Sequence, residues 1–181
     1  MNLEKGESSR SVQLNGGKRF TVKNLFKAAE TGDVKFLKEA LNSHSTEYLL
    51  SKKHDEGNCN IIHIAANRLL GDGHHIKLFQ LNLLTFIEVA LENLPPQAVL
   101  SLLCAQEEVY NYTPLHYAAL RGWLPAVRLL VDFYTRTLLR IQHASAPRYQ
   151  SQSEDGRVCW RQPWLMKNRF GDTPLHTTLK E

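Results

Sequence analysis

The residues of this sequence with chemistry to offer are its eight histidines and three cysteines. His63, His116 and His176 recur inside one short motif, while His74 and His75 follow the glycine-flanked Gly71-Asp72-Gly73. A zinc ion held by protein side chains takes four ligands in its structural form. Cys59 and His63, four residues apart, can share one helix face, but the chain has no second pair at ligand spacing. Neither a metal nor any other cofactor is therefore expected. Cys59, Cys104 and Cys159 stand far apart with no C-x-x-C pair. So sparse and odd a count suits a reducing compartment, the cytoplasm first, and not a disulfide framework. The sequence has no G-x-S-x-G, no G-x-x-x-x-G-K-[ST] and no H-E-x-x-H. Glu107 and Glu108 are adjacent, and adjacent side chains on a helix point apart, which argues against a general acid–base pair. No catalytic residue and no small-molecule substrate is expected.

The recurring histidines belong to a repeat. Thr113-Pro114-Leu115-His116-Tyr117-Ala118-Ala119 reads T-P-L-H-x-A-A, and Thr173-Pro174-Leu175-His176 repeats its first half. Asn60-Ile61-Ile62-His63-Ile64-Ala65-Ala66 keeps the histidine and both alanines, and Lys23-Asn24-Leu25-Phe26-Lys27-Ala28-Ala29 is a more degenerate copy. Each position has a local reason. The threonine hydroxyl caps a helix, proline suits the first helical position, and paired alanines let helices approach closely. Gly32 and Gly122 follow the copies and can end short helices in the left-handed conformation. Gly171, Asn111 and Asn58 fall two residues before the start of a copy, where a tight turn needs a left-handed residue, and Asn is the next best after Gly. Asn111-Tyr112-Thr113 also fits a glycosylation sequon, but lies inside the motif and is read as structural. A second helix is expected after each glycine, with Phe36, Leu37, Ala40 and Leu41 as core in the first copy and Val127, Leu129, Leu130 and Val131 in the third.

These motifs resemble the ankyrin-repeat family. The resemblance implies an all-α solenoid of helix pairs with β-hairpin turns, a non-enzymatic binding role, and a motif histidine that bridges neighbouring units through hydrogen bonds. Residues 1–18 read as a flexible polar tail and 19–181 as an array of about four units, the first acting as a cap. The copies start 37, 53 and 60 residues apart, against a family unit of about 33, so insertions are expected near 71–95 and 135–164. Ile76 to Asn93 reads as a long helix in the first insertion, Pro95-Pro96 as its stop, and Gln97 to Leu103 as a further short helix. The opening Leu25-Phe26-Lys27-Ala28-Ala29 and the late Asn168-x-x-Gly171-Asp172-Thr173 are weakly similar to plant ankyrin proteins, which often carry membrane helices beyond the repeats. Irregular arrays are also similar to the NF-kappaB inhibitors and to bacterial ankyrin effectors. Because the sequence ends just after the fourth motif, a fragment of a longer protein is expected.

The second insertion concentrates arginine and tryptophan, residue types enriched at interaction hot spots. Arg148, Arg157, Trp160, Arg161 and Trp164 are the candidate partner contacts there, joined by Tyr112 at a turn and Trp123 behind Gly122. Trp160 and Trp164 could equally pack back on the stack. With 43% hydrophobic and 22% charged residues the composition is globular, and a net charge of +4 is small for a nucleic-acid binder. No apolar run is long enough to span a membrane. The expected partner is another protein. Membrane association would come only through regions outside this chain, with the nucleus or a membrane's cytosolic face left open as locations. Two other readings remain: the cytosolic ankyrin domain of a larger membrane or signalling protein, and an anionic-surface or nucleic-acid binder using the Arg/Trp insertion.

Overall fold

The computed structural model describes residues 20–43, 52–54, 57–68, 76–144 and 161–179. The tail 1–18, the turn 71–75, and Arg148, Arg157 and Trp160 lie outside the described residues. The described elements are helices: α1 (Val22–Thr31), α2 (Val34–Ser43), α3 (Ile61–Ala66), α4 (Ile76–Glu92), α5 (Pro96–Cys104), α6 (Pro114–Leu120), α7 (Leu124–Ala144) and α8 (Pro174–Thr177). The short motif helices α1, α3, α6 and α8 form one row, each in contact with the next, while α2, α4, α5 and α7 form a second layer behind them. This is an all-α solenoid.

The motif starts each inner helix through a reciprocal cap. Thr113 Oγ1 accepts from the His116 N–H (3.3 Å), and His116 Nδ1 accepts from the Thr113 N–H (3.1 Å). Asn60 and His63 make the same exchange in α3. It is a capping box in which histidine replaces the usual Glu or Gln. Pro114 and Pro174 fill first-turn positions whose N–H has no helical partner. The alanine pairs 28–29, 65–66 and 118–119 are all buried, as close packing of the inner row requires.

Left-handed backbone occurs where the turn reading placed it, at Asn58 (φ 55°), Asn111 (φ 56°) and Gly171 (φ 83°). Gly32 is left-handed too (φ 66°), and here the side chain matters as much as the torsion: a Cβ would stand 2.8 Å from the backbone of Asn82 and Leu83 in α4. The α1–α2 corner thus abuts the middle of α4.

α4 packs against α2, α1, α3 and α7, the place of an outer helix. Leu83, Phe86, Ile87, Ala90 and Leu91 recur at helical spacing and are buried, whereas Leu78 and Leu81 fall on the opposite face and are exposed. The additional helix of this region is α5, wedged against α7 and α6. In the other insertion, residues 135–144 are the continuation of α7. Buried Phe133, Tyr134 and Thr137, with half-buried Leu138 and Ile141, keep one face of it on the core. The described residues contain no strand. The connections before the inner helices are tight turns, each closed across its base by a backbone bond: His54 N to Cys59 O (2.7 Å), Glu107 N to Tyr112 O (3.0 Å) and Asn168 N to Asp172 O (2.8 Å).

Candidate protein-interaction surface

The three turns stack on one another. The Glu108 N–H donates to Gly57 O (2.9 Å), and the Arg169 N–H donates to Tyr110 O (2.9 Å). The motif histidines cross the same boundaries: His63 Nε2 lies 3.1 Å from Ala105 O and from Tyr112 O, and His116 Nε2 lies 3.1 Å from Asp172 O. Since Nδ1 accepts from a backbone N–H, Nε2 carries the proton and donates. The implied bridging role of the histidine is therefore present at both boundaries. Burial pushes the pKa of His63 down to about 4 and lowers that of His116 as well. Both rings stay neutral in this setting, which their double role as acceptor and donor demands.

Glu107 and Glu108 point apart, as adjacent residues should. Glu107 is buried and its carboxylate accepts from the N–H groups of Val109 (2.6 Å), Tyr110 (2.8 Å) and Tyr112 (3.0 Å). Glu108 is exposed and accepts from the Asn58 side chain of the preceding turn. Burial raises the Tyr117 phenol, with Glu107 adding to the effect, and lifts the Cys59 and Cys104 thiols to about 11. These thiols are protonated and poorly nucleophilic. Among the described residues no three His, Cys, Asp or Glu side chains cluster at metal distance, and no helix is long and apolar enough to cross a membrane.

On this fixed turn stack, Tyr110 is 45% exposed and Phe170 61%. Their ring centroids are 6.3 Å apart. Each precedes the left-handed tip residue of its turn, Asn111 or Gly171. That equivalence was the available signal for both residues in the sequence, and the motif reading passed over it. Tyr112 continues the aromatic run inward, 5.5 Å from Tyr110 and 5.2 Å from Tyr117, with its ring parallel to His116 at 5.4 Å. It is half-buried, and its backbone serves the turn.

The other sequence candidates separate. Trp123 is corrected: it is only 2% exposed and belongs to the core, so it cannot present its ring to a partner. Its backbone N–H closes the α6 end on Ala118 O, its ring is part of the buried core cluster, and its indole N–H has no hydrogen-bond partner among the described residues. Trp164 packs edge-on against Tyr134 (5.2 Å) and lines an apolar groove of about 300 Å³ with Leu115, Val127, Val131, Pro174 and Leu175. Arg161 is exposed, and its carbonyl accepts from Cys104 Sγ (3.3 Å), anchoring the returning segment to α5. Gln106 Nε2 to Lys167 O (2.9 Å) and Arg169 Nη1 to Val109 O (2.7 Å) complete that attachment.

Comparison with known proteins agrees with this architecture. Residues 110–138, the third unit, match a family model described as Ankyrin repeat. The fold is similar to that of the yeast chaperone Yar1, an ankyrin-repeat protein, in the crystal structure of yeast ribosomal protein Rps3 in complex with its chaperone Yar1. The TM-score is 0.57 at 20% identity, covering 87% of this chain and 82% of that one. No curated protein sequence matches. The fold is thus an ankyrin-repeat stack.

Proposed function

We propose that this chain is a non-catalytic scaffold that holds another protein through its turn tips, in the manner of an adaptor, with Tyr110 and Phe170 as the principal anchors. The observation that carries this reading is the exposure of these two aromatic residues on adjacent turns locked together by the Arg169–Tyr110 backbone bond. A preformed backbone binds with little ordering cost, and tyrosine is among the residue types that dominate interface energetics. Trp164 and Arg161 extend the surface toward the α7 side, with Arg148, Arg157 and Trp160 as further candidates in the adjoining segment. The non-catalytic reading is supported by the employment of the reactive groups among the described residues: His63 and His116 bridge turns, Glu107 binds three N–H groups, and the half-buried thiols of Cys59 and Cys104 are protonated. The yeast neighbour is a chaperone in complex with a ribosomal protein, which supports a role in holding a protein partner. A role in cytoplasmic signalling or assembly is the wider setting of the proposal.

The test is affinity capture from a lysate read by mass spectrometry, comparing the intact chain with Tyr110→Ala plus Phe170→Ala and, separately, with Trp164→Ala. Circular dichroism first establishes that all three are equally helical. Loss of a specific partner by the tip variant alone is the expected result. Retention by the tip variant and loss by Trp164→Ala would move the site to the groove, and no specific partner for any of them would overturn the reading.

A further inference from the structure

The first unit carries a cleft that neither the turn tips nor the Trp164 groove uses. It measures about 770 Å³, within the roughly 300–1,000 Å³ range of ligand sites, and lies between α1 and residues 52–54. Its lining holds Lys23, Lys27, Lys52 and Lys53 against one acid, Glu30. Lys23 and Lys27 stand one helical turn apart and are exposed, as is Lys53, and none of these three forms an ion pair among the described residues. Like charges at that helical spacing repel one another, and a bound anion relieves the repulsion. The cleft also has apolar surface. Val22 is 39% exposed beside the lysines, and Phe26 forms the floor with His54 edge-on at 5.0 Å.

We propose that this cleft binds an acidic segment of a partner protein, with Asp or Glu side chains among Lys23, Lys27 and Lys53 and an apolar residue against Val22. The lining has no arginine, the residue that reads phosphate with a bidentate fork, and its few cations do not form the long stripe that a nucleic-acid backbone needs. Lysine point charges with an adjoining apolar patch suit carboxylates interspersed with apolar side chains. The inference shares the protein-binding reading but places a second contact at the opposite end from Phe170.

Fluorescence anisotropy of a short fluorescein-labelled peptide of Asp, Glu and Leu, titrated with the full chain at low salt, tests the assignment. Lys23→Glu plus Lys27→Glu should weaken binding about tenfold or more, since two attractions become repulsions. Lys35→Glu plus Lys38→Glu, exposed residues of α2 with the same change in net charge, should alter it less than about twofold. Equal weakening by both pairs, or no binding of the peptide, overturns the proposal. So does tighter Lys23/Lys27-dependent binding of single-stranded DNA or phosphatidylserine vesicles, which would make the cleft a phosphate site. The Tyr110→Ala plus Phe170→Ala variant should keep the peptide. If the peptide fails while the tips still capture a protein, only this inference falls.

Discussion

Replacing His63 by glutamine should abolish a specific part of the acid sensitivity of this stack. His63 is 1% exposed, with Nδ1 accepting from the Asn60 N–H and Nε2 donating to the carbonyls of the next turn. Its protonation is disfavoured chiefly by burial, so the folded value is about 4 against an ordinary 6.5. As pH falls below 6.5 the unfolded chain takes up the proton first. The histidine's contribution is therefore complete above that pH, declines as pH falls, and is lost once pH passes through about 4. At about 1.4 kcal/mol per pH unit the full gap corresponds to about 3 kcal/mol, of which about 2 kcal/mol has gone by pH 5. Urea unfolding of the native chain and of His63→Gln, at several pH values from 7.5 to 5, reads this directly. The variant should be about 2 kcal/mol less stable at pH 7.5, because a glutamine that accepts from the Asn60 N–H, as in the usual capping box, leaves the two carbonyls of the next turn without their donor. That deficit should shrink toward zero by pH 5, and His116, present in both proteins, cancels in the difference. A deficit that stays constant to within about 0.5 kcal/mol across the range would refute the argument, since it would mean that His63 titrates alike in the folded and unfolded chains.

Gly32→Ala and Gly122→Ala should separate backbone strain from collision. Both glycines are left-handed, but a Cβ at Gly122 meets nothing within 4 Å. Thermal and urea unfolding should show about 1 kcal/mol lost at Gly122 and about 3 kcal/mol at Gly32, where α4 must also shift. Glu107→Gln removes the charge and turns one of the two oxygens that accept from three N–H groups into an NH2 that cannot accept, which should cost about 2 kcal/mol in urea unfolding. Spectrophotometric titration should show Tyr117 ionising at lower pH in the same variant, because Glu107 contributes to its raised value. Cys59 and Cys104 should be alkylated by iodoacetamide at pH 8 far more slowly in the folded chain than in urea, as measured by peptide mass mapping, because their thiols stay protonated up to about 11.

Much of the inner row was legible because each motif position acts locally. A threonine or asparagine caps the helix that starts beside it, and a histidine three residues on returns the bond. A left-handed asparagine is recognisable from the turn that requires it. The outer layer was harder. An insertion was expected from residue 135 on, yet Leu130, Phe133, Tyr134, Thr137, Leu138 and Ile141 carry helical spacing straight through its start. Read as a face and not as a composition, that stretch would have shown α7 running on. Trp123 failed differently. Its place after a helix-ending glycine allowed either exposure or burial, because local position does not say which way a large ring turns, and the apolar area of the ring puts it in the core. Tyr110 and Phe170 were missed because the motif fixes its own threonine and histidine and leaves the tip residue free to vary.

That freedom explains how an array so irregular in sequence remains regular where it matters. The motif copies begin 53 and then 60 residues apart across the last two intervals. The turns they connect nevertheless meet through backbone bonds of 2.9 Å at both boundaries, and the histidine bridges are 3.1 Å at both. Among the described residues the extra length goes into the layer behind: α5 beside α7, and the prolonged end of α7 itself. An insertion there changes the outer packing but leaves the left-handed tips, the capping boxes and the turn-to-turn bonds in place. Side chains at the tips can therefore be exchanged to suit a partner with little cost to the stack, whereas substitution of a bridging histidine disturbs two units at once.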